Sequence, residues 1–157
     1  MINRRSLLVL LPTLAAPLAL LRCAPPPKPP AVLTLTMIGS AAQNPDVSGK
    51  ASPVAVRIYQ LTATAKFERG DVFALTEHEQ QTLGQDDAGS QEFVLSPGEI
   101  QTKTFELKTG VQAVGVVVLY RDIDKAQWRA DAPVASSGPT KLVLNVGKLA
   151  ITLQPSA

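Results

Sequence analysis

The chain has one cysteine and one histidine among its 157 residues. A single thiol excludes an intramolecular disulfide and a cysteine-based metal or redox pair, because each of these needs a second sulfur. His78, the sole histidine, stands between Glu77 and Glu79. Adjacent side chains on a helix point in different directions, so these three cannot converge on one metal or one substrate. The sequence therefore predicts no catalytic residues, no metal site and no cofactor.

Basic residues exceed acidic residues by only two, and the excess belongs to the N-terminus. The whole chain has 15 Lys+Arg and 13 Asp+Glu. Residues 1–22 contain three arginines and no acidic residue, so removing them leaves 12 basic against 13 acidic residues and a net charge of −1. A nucleic-acid surface needs lysine and arginine clustered on one face. Nucleic acid is not an expected partner.

The first 22 residues have the pattern of an export signal. Arg4 and Arg5 form a short basic start, and residues 7–21 are an almost unbroken apolar run. A membrane-spanning helix needs roughly 20 apolar residues, and two prolines interrupt this shorter run. Residues 1–22 are predicted to be a signal peptide of the lipoprotein type.

Cys23 follows the apolar run at the position where bacterial lipoproteins are acylated and cleaved. Residues 20–23 (LLRC) are similar to the lipoprotein cleavage motif, except that Arg22 replaces a small residue. We predict that Cys23 is lipidated; the alternative is an ordinary export signal with an incidental cysteine. Ala24 is not the aspartate that retains lipoproteins at the inner membrane. The expected location is therefore the periplasmic face of the outer membrane, held by the lipid anchor.

Five prolines lie between residues 24 and 31 (APPPKPPA). Proline cannot continue a helix or an interior strand, and a run of prolines favours the extended polyproline II conformation. At ~3.1 Å per residue, residues 24–31 are predicted to form a stiff tether of roughly 25 Å, which together with Cys23 makes up the segment 23–31. The alternative is a disordered linker. Both interpretations start a folded domain at Val32, which gives one domain over residues 32–157.

Apolar and polar residues alternate from Val32 onward with the period of strands that bury one face. Strands are predicted at residues 33–37, 54–59 and 113–120, as a pair at 92–95 and 100–107 across the turn 96–99, and as a closing hairpin at 142–146 and 149–153. The strand at 113–120 is apolar throughout, which predicts that both its faces are covered. Strands separated by turn signals predict an all-β fold, a two-sheet β-sandwich.

The segment of about residues 64–84 departs from this alternation and predicts a short helical insertion. Thr76 and Glu79 have the spacing of a capping box, which predicts a helix that begins at Thr76. Gly84 is a typical C-terminal stop. We expect one or two short helices against an edge of the sandwich, where they prevent pairing with foreign strands.

Several segments resemble one known family in their order along the chain. They are residues 54–61 (VAVRIYQL), Phe67 with residues 71–75 (DVFAL), residues 96–99 (SPGE), and residues 115–122 (GVVVLYRD) with 126–129 (AQWR). With the lipoprotein-like start, they resemble the TssJ family, the outer-membrane lipoproteins of the type VI secretion system. The resemblance implies a transthyretin-like sandwich with a helical portion and no catalysis. It also implies a partner, the periplasmic C-terminal domain of the inner-membrane protein TssM, bound by the loop between the first two strands.

That loop comprises residues 39–52 (GSAAQNPDVSGKAS) in this chain. It is longer than the 2–5 residues of most hairpin loops, and its Asn, Pro, Asp, Ser and Gly residues favour local turns. The residues alone allow either a docking loop or a solvated connection between two sheets, and the resemblance favours docking. The predicted partner-binding residues are Gln43, Asn44, Asp46, Val47 and Lys50.

Other function classes have less support in the residues. Asp122 and Asp124 have the spacing of a carboxylate pair, but the flanking Arg121 and Lys125 favour a charged turn. The transthyretin-like hydrolase of the purine pathway needs several histidines and a C-terminal Tyr-Arg-Gly-Ser motif, which this chain lacks, so no small-molecule substrate is expected. An alternative binding function is that of a periplasm-facing lipoprotein that acts as a pilotin or stabilises an outer-membrane pore or pilus.

Overall fold

Eight β-strands form two four-stranded sheets in the computed structural model of the chain, which describes residues 26–156. The strands are β1 Ala31–Gly39, β2 Val54–Leu61, β3 Asp87–Leu95, β4 Ile100–Glu106, β5 Ala113–Val118, β6 Arg129–Pro133, β7 Gly138–Val146 and β8 Ile151–Pro155. The strand orders are β4-β1-β7-β8 and β3-β2-β5-β6. The predicted all-β, two-sheet sandwich is confirmed. The predicted signal peptide, Cys23 and the first residues of the tether lie outside the described residues.

The alternating sequence of β1 produces one buried face, as predicted. Leu33, Leu35 and Met37 have no exposed area and belong to the core between the two sheets. The intervening threonines lie on the outer side, where Thr36 Oγ1 is 3.2 Å from Thr102 Oγ1 of β4. β1 pairs antiparallel with β4 and parallel with β7, so it is an interior strand of its sheet.

The continuous apolar strand β5 is covered on both faces, which confirms the prediction made from its sequence. Its six residues are all buried. Val114 and Val116 point into the core between the sheets, whereas Ala113 and Val117 point outward into a second apolar cluster. Gly115 lies on the same outer face, where an added Cβ would be 2.7 Å from Phe67 Cζ. Glycine is needed there because the covering layer approaches so closely.

The covering layer consists of three short helices, α1 Ala65–Arg69, α2 Val72–Glu77 and α3 Glu79–Leu83. Phe67, Leu75 and Leu83, one from each helix, have no exposed area and pack on the outer face of β2 and β5. The prediction that the helices cover an edge is therefore wrong, because their apolar residues bury the outer face of a sheet. No helix within residues 26–156 is long and apolar enough to cross a membrane.

The helical insertion begins at Ala65, close to the predicted boundary, but the helix predicted to begin at Thr76 does not begin there. Asp71 is the N-cap of α2, and its Oδ1 accepts a hydrogen bond from the backbone N–H three residues later at 2.8 Å. Thr76 lies inside α2, where its hydroxyl donates to the carbonyl four residues earlier. Glu79 Oε1 accepts a hydrogen bond from Ser90 Oγ at 2.7 Å, and this tertiary contact replaces the predicted capping box. Gly84 ends α3 with a φ of 56°, as predicted.

The turn of residues 96–99 forms, but it does not join a hairpin. Glu99 N donates to Ser96 O at 3.1 Å, and Gly98 has the positive φ of 75° that a type II turn requires. β3 pairs with β2 and β4 pairs with β1, so the turn crosses from one sheet to the other. Phe93 and Phe105 then face each other across the sandwich, with ring centroids 6.0 Å apart. The predicted pairing of these two strands is wrong, whereas the predicted closing hairpin of β7 and β8 is confirmed.

The sandwich has two ends, and β1 runs from one to the other. At ~3.3 Å per residue, its nine residues span about 30 Å. The tether end contains the start of β1, the β4–β5 loop (107–112) and the β6–β7 loop (134–137). The distal end contains the β1–β2 loop (40–53), the 96–99 turn, the β5–β6 segment (119–128) and the β7–β8 loop (147–150).

Candidate functional site

The β1–β2 loop at the distal end is attached to the β7–β8 hairpin by backbone hydrogen bonds. Ser40 N donates to Val146 O at 2.8 Å, and Asn44 N donates to Lys148 O at 3.1 Å. These bonds to the hairpin fix the backbone conformation of the first part of the loop. A loop of defined shape can present side chains to a partner in a fixed arrangement.

Gln43 joins the start of this loop to the end of β3. Its side chain has no exposed area, and Nε2 donates to Leu95 O at 2.7 Å and to Ser52 O at 3.4 Å. The carboxamide lies directly over Gly39, where an added Cβ would be 2.5 Å from Gln43 Oε1. A buried amide is costly unless it is hydrogen-bonded, so these bonds hold the loop to the sheet.

Asn44 connects the loop to the β5–β6 segment. Nδ2 donates to Pro53 O, and Oδ1 accepts a hydrogen bond from Arg121 N, both at 2.8 Å. Its backbone has a φ of 44°, in the left-handed region that asparagine tolerates better than most residues. The side chain is only 3% exposed. The structure thus places Gln43 and Asn44, both predicted as contact residues, inside the protein, where they position the loop.

The other three predicted contact residues lie in the turn at the tip of the loop. Asp46 Oδ1 accepts hydrogen bonds from Ser48 N at 2.8 Å, Ser48 Oγ at 2.6 Å and Lys50 N at 3.0 Å. The Ser48 hydroxyl, followed by the Lys50 amide, lowers the pKa of Asp46 below its usual value. Within this turn, Val47 is fully exposed at 111% of its reference area, and Lys50 is also exposed. The Asp46 carboxylate therefore shapes a turn that displays an apolar tip.

A shallow groove lies beside Val47, and its walls come from three segments of the distal end. Besides the loop residues Pro45, Asp46 and Val47, it is lined by Arg121, Asp122 and Leu149. Arg121 is 77 positions from Asn44 in the chain, so no local pattern places it beside the loop. Asp122 also pairs with Lys125 Nζ at 3.0 Å, in the charged turn that the sequence predicts.

The side chains of the distal end suit recognition of another protein. The groove has charges of both signs, and the loop tip is apolar. His78 is exposed between α2 and α3, away from this groove. Within residues 26–156, no three His, Cys, Asp or Glu side chains are grouped so that they could hold a metal ion.

Comparisons with known proteins agree on one family. Residues 31–149 match the family described as type VI secretion lipoprotein (VasD, EvfM, TssJ). The fold is similar to the crystal structure of the type VI secretion lipoprotein TssJ1 from Pseudomonas aeruginosa, with a TM-score of 0.79 and 33% sequence identity. That alignment covers 82% of this chain and 98% of TssJ1. A search of curated protein sequences found no match.

Two further solved structures contain chains of similar fold. A structure described as a type VI membrane complex aligns with a TM-score of 0.72 and 26% identity, over 80% of this chain and 98% of that chain. A structure described as the type VI secretion protein TssM C-terminal domain from EAEC aligns with a TM-score of 0.67 and 24% identity. It covers 80% of this chain and 99% of the other, and this likeness is one of fold.

Proposed function

The chain belongs to the TssJ family of type VI secretion lipoproteins, and on this basis we propose that it anchors the secretion membrane complex at the outer membrane. A lipid on Cys23 holds the protein at the periplasmic face of that membrane. The distal end binds the periplasmic C-terminal domain of TssM without catalysing a reaction. The alignment with a chain of a type VI membrane complex supports this role, and the alignment with the TssM structure is compatible with it.

The course of β1 is the observation that carries the proposal. The strand begins at Ala31, directly after the proline-rich segment, and ends at Gly39, where the β1–β2 loop begins. The tether and the loop are therefore about 30 Å apart, at opposite ends of one interior strand. A lipid upstream of Ala31 leaves the loop facing away from the membrane, towards a periplasmic partner.

The loop is suited to docking because it is ordered before the partner arrives. The buried amides of Gln43 and Asn44 hold it in place, so binding loses little conformational entropy. Full burial of a valine side chain contributes roughly 1.5–3 kcal/mol, and Val47 is fully exposed in the free protein. Asp46, Val47 and Lys50 form the contact surface, and Gln43 and Asn44 position it.

Capture by the purified periplasmic domain of TssM tests the proposal. The full chain, extracted in detergent, is expected to bind, and deletion of residues 43–50 is expected to abolish capture. Because that deletion also removes buried side chains, Val47→Asp is the sharper variant. It should weaken binding by about ten-fold or more, since it places a charge where an apolar side chain is to be buried. Thr109→Asp adds the same charge at an exposed position of the tether end and should bind like the wild type.

Two outcomes would overturn these assignments. If TssM does not capture the wild-type chain, TssM is not its partner. Capture by an outer-membrane pore or pilus protein would then support the alternative function as a pilotin or stabiliser. Capture that is equally strong for the wild type, the deletion variant and Val47→Asp would show that the β1–β2 loop is not the contact.

A further inference from the structure

Large exposed apolar side chains are confined to one end of the described residues. Within residues 26–156, the strongly exposed ones are Val47, Phe73, Val94 and Ile100, with exposed fractions of 111%, 63%, 60% and 66%. All four surround the distal end, and none of this kind lies at the tether end of the described chain. A single exposed apolar side chain needs no explanation, whereas several at one end are typical of an interaction surface.

Val94 and Ile100 lie beside the β1–β2 loop, on the outer faces of the two different sheets. They flank the 96–99 turn, and Ile100 is opposite Ile38, next to the last residue of β1. Val94 is opposite Ala55, the second residue of β2. The hydrogen bond from Gln43 Nε2 to Leu95 O joins this turn region directly to the loop. The two side chains are therefore neighbours of the loop in the folded protein.

Phe73 lies on the exposed side of α2, on the same outer face of the β3-β2-β5-β6 sheet as Val94. The helix buries Leu75 completely against the sheet, and Phe73 points away from that contact. Beside it is an apolar groove lined by Val72, Leu119 and Ile123, among others. Leu119 and Ile123 bracket the part of the β5–β6 segment that also borders the Val47 groove. The two grooves thus share one wall.

This shared wall is fixed to the loop. The backbone N–H of Arg121, between Leu119 and Ile123, donates to Asn44 Oδ1 at 2.8 Å. A partner that contacts Val47 can therefore extend along the 119–123 segment and contact Phe73 as well. The helical insertion, which otherwise covers a sheet, contributes its exposed aromatic ring to that surface.

We propose that the docking face for TssM covers the whole distal end, with Phe73 as a second apolar anchor beside Val47 and with Val94 and Ile100 at its margins, one on the outer face of each sheet. This inference rests on the proposed function. Aromatic residues are enriched at the centres of protein interfaces. A lipid surface is a poor match, because the tether leaves from the opposite end and the Val47 groove has charges of both signs. The last described strand, β8, runs away from the distal end and finishes midway along β7, so the described chain after it does not cover the face.

Titration of the TssM periplasmic domain onto the full chain, in detergent, tests the second anchor. Phe73→Ser is expected to raise Kd by about ten-fold or more, as for a buried aromatic anchor, whereas Phe73→Leu should stay within about three-fold of the wild type because it restores apolar contact. Val94→Thr and Ile100→Thr should each have smaller effects. Thr109→Ser, at the tether end, is the control and should bind like the wild type.

The outcomes separate this inference from the proposed function. If the wild type binds and Val47→Asp does not, but Phe73→Ser binds as well as the wild type, the docking face stops at the loop and the second anchor is wrong. If the wild type fails to bind TssM, the proposed function and this inference fall together. Thermal unfolding of Phe73→Ser should match the wild type, because the ring is mostly exposed, and a lowered midpoint would assign its binding loss to folding.

Discussion

The two ends of the sandwich distribute polar and apolar side chains in opposite ways. At the tether end, the β4–β5 loop buries Leu107 and Val111 and exposes the polar residues 108–110, which is the usual arrangement. At the distal end, the amides of Gln43 and Asn44 are buried and Val47 is fully exposed.

At the distal end, both the buried amides and the exposed apolar side chain have a cost in folding free energy. Burying an amide requires hydrogen bonds that compensate for lost hydration, and exposing an apolar side chain forgoes its burial. Both features are useful when a partner covers the surface, because the amides fix the loop and the apolar side chains become buried on binding. The tether end thus has the arrangement of a surface that stays in water, whereas the arrangement at the distal end is the one expected if a partner covers it.

The largest expected effect comes from removing the predicted lipid anchor, which should affect one end of the molecule and not the other. Cys23→Ala should abolish palmitate labelling and fractionation with the outer membrane. A durable hold needs more than one acyl chain, at ~0.8 kcal/mol per buried CH₂, and the variant would have none. Capture by TssM in solution should be unchanged, because the proposed docking surface lies at the opposite end of β1. Palmitate incorporation and membrane fractionation measure the first effect, and the capture assay measures the second.

One pair of results would contradict anchoring through Cys23. If the wild type takes up no palmitate and Cys23→Ala still fractionates with the outer membrane, the cysteine is incidental and an ordinary export signal precedes it. Loss of TssM capture in purified Cys23→Ala would instead show that the two ends are not independent.

A smaller effect is expected from adding one methyl group at either end. In Gly39→Ala, the new Cβ would lie 2.5 Å from Gln43 Oε1 and 2.7 Å from the backbone oxygen of Ser96. The loop and the turn must move apart, at about 1–3 kcal/mol of unfolding free energy, and TssM capture should weaken. In Gly110→Ala the new Cβ would meet only Thr62 Cγ2, at an ordinary contact distance of 3.9 Å, and φ is 88°, so backbone strain of about 1–2 kcal/mol is its main cost.

Gly39→Ala and Gly110→Ala each add one methyl group and are expected to lose similar stability. A difference between them in TssM binding would therefore reflect where the methyl group is placed. Urea unfolding gives the stability of each, and capture by TssM gives the effect on docking. Gly110→Ala should bind like the wild type. If Gly39→Ala also binds like the wild type, despite a loss of stability, the exact placement of the β1–β2 loop does not matter for docking.

The smallest expected effect is a difference in acid sensitivity. At the distal end, the Ser96 amide is the main cause of a lowered pKa for Glu99, and the Ser48 hydroxyl is the main cause for Asp46. Because both pKa values are lower in the folded protein, each carboxylate stabilises its turn fully above its unfolded pKa of about 4. That stabilisation is lost as the pH falls through the folded values.

Amide hydrogen exchange can report this loss residue by residue. Protection of the Ser96 and Lys50 amides, which bond to these carboxylates, should fall below about pH 4. Protection of the Leu107 amide, which donates to Ala31 O at the tether end, should persist. Equal loss of protection at both ends would indicate unfolding of the entire domain and contradict the proposed difference.

Patterns with a strict period were sufficient to predict much of the fold. The alternation of Leu33, Leu35 and Met37 follows from burial of one face of β1, and the uninterrupted apolar run of β5 follows from burial of both faces. Errors arose where a local motif competed with a tertiary contact. The SPGE turn formed without a hairpin because each adjoining strand pairs within a different sheet, and Glu79 bonds to Ser90 in place of a helix cap.

The sequence by itself determined the sandwich class, the position of the helical insertion and the loop to consider for docking, since these depend on periodicity, breaks in it and residue order. The tertiary structure alone decided which residues of that loop are exposed. Gln43, Asn44 and Val47 are neighbours in the chain, yet two are buried and one is exposed. Burial depends on Leu95 and Arg121, which approach the loop only when the sheets are assembled.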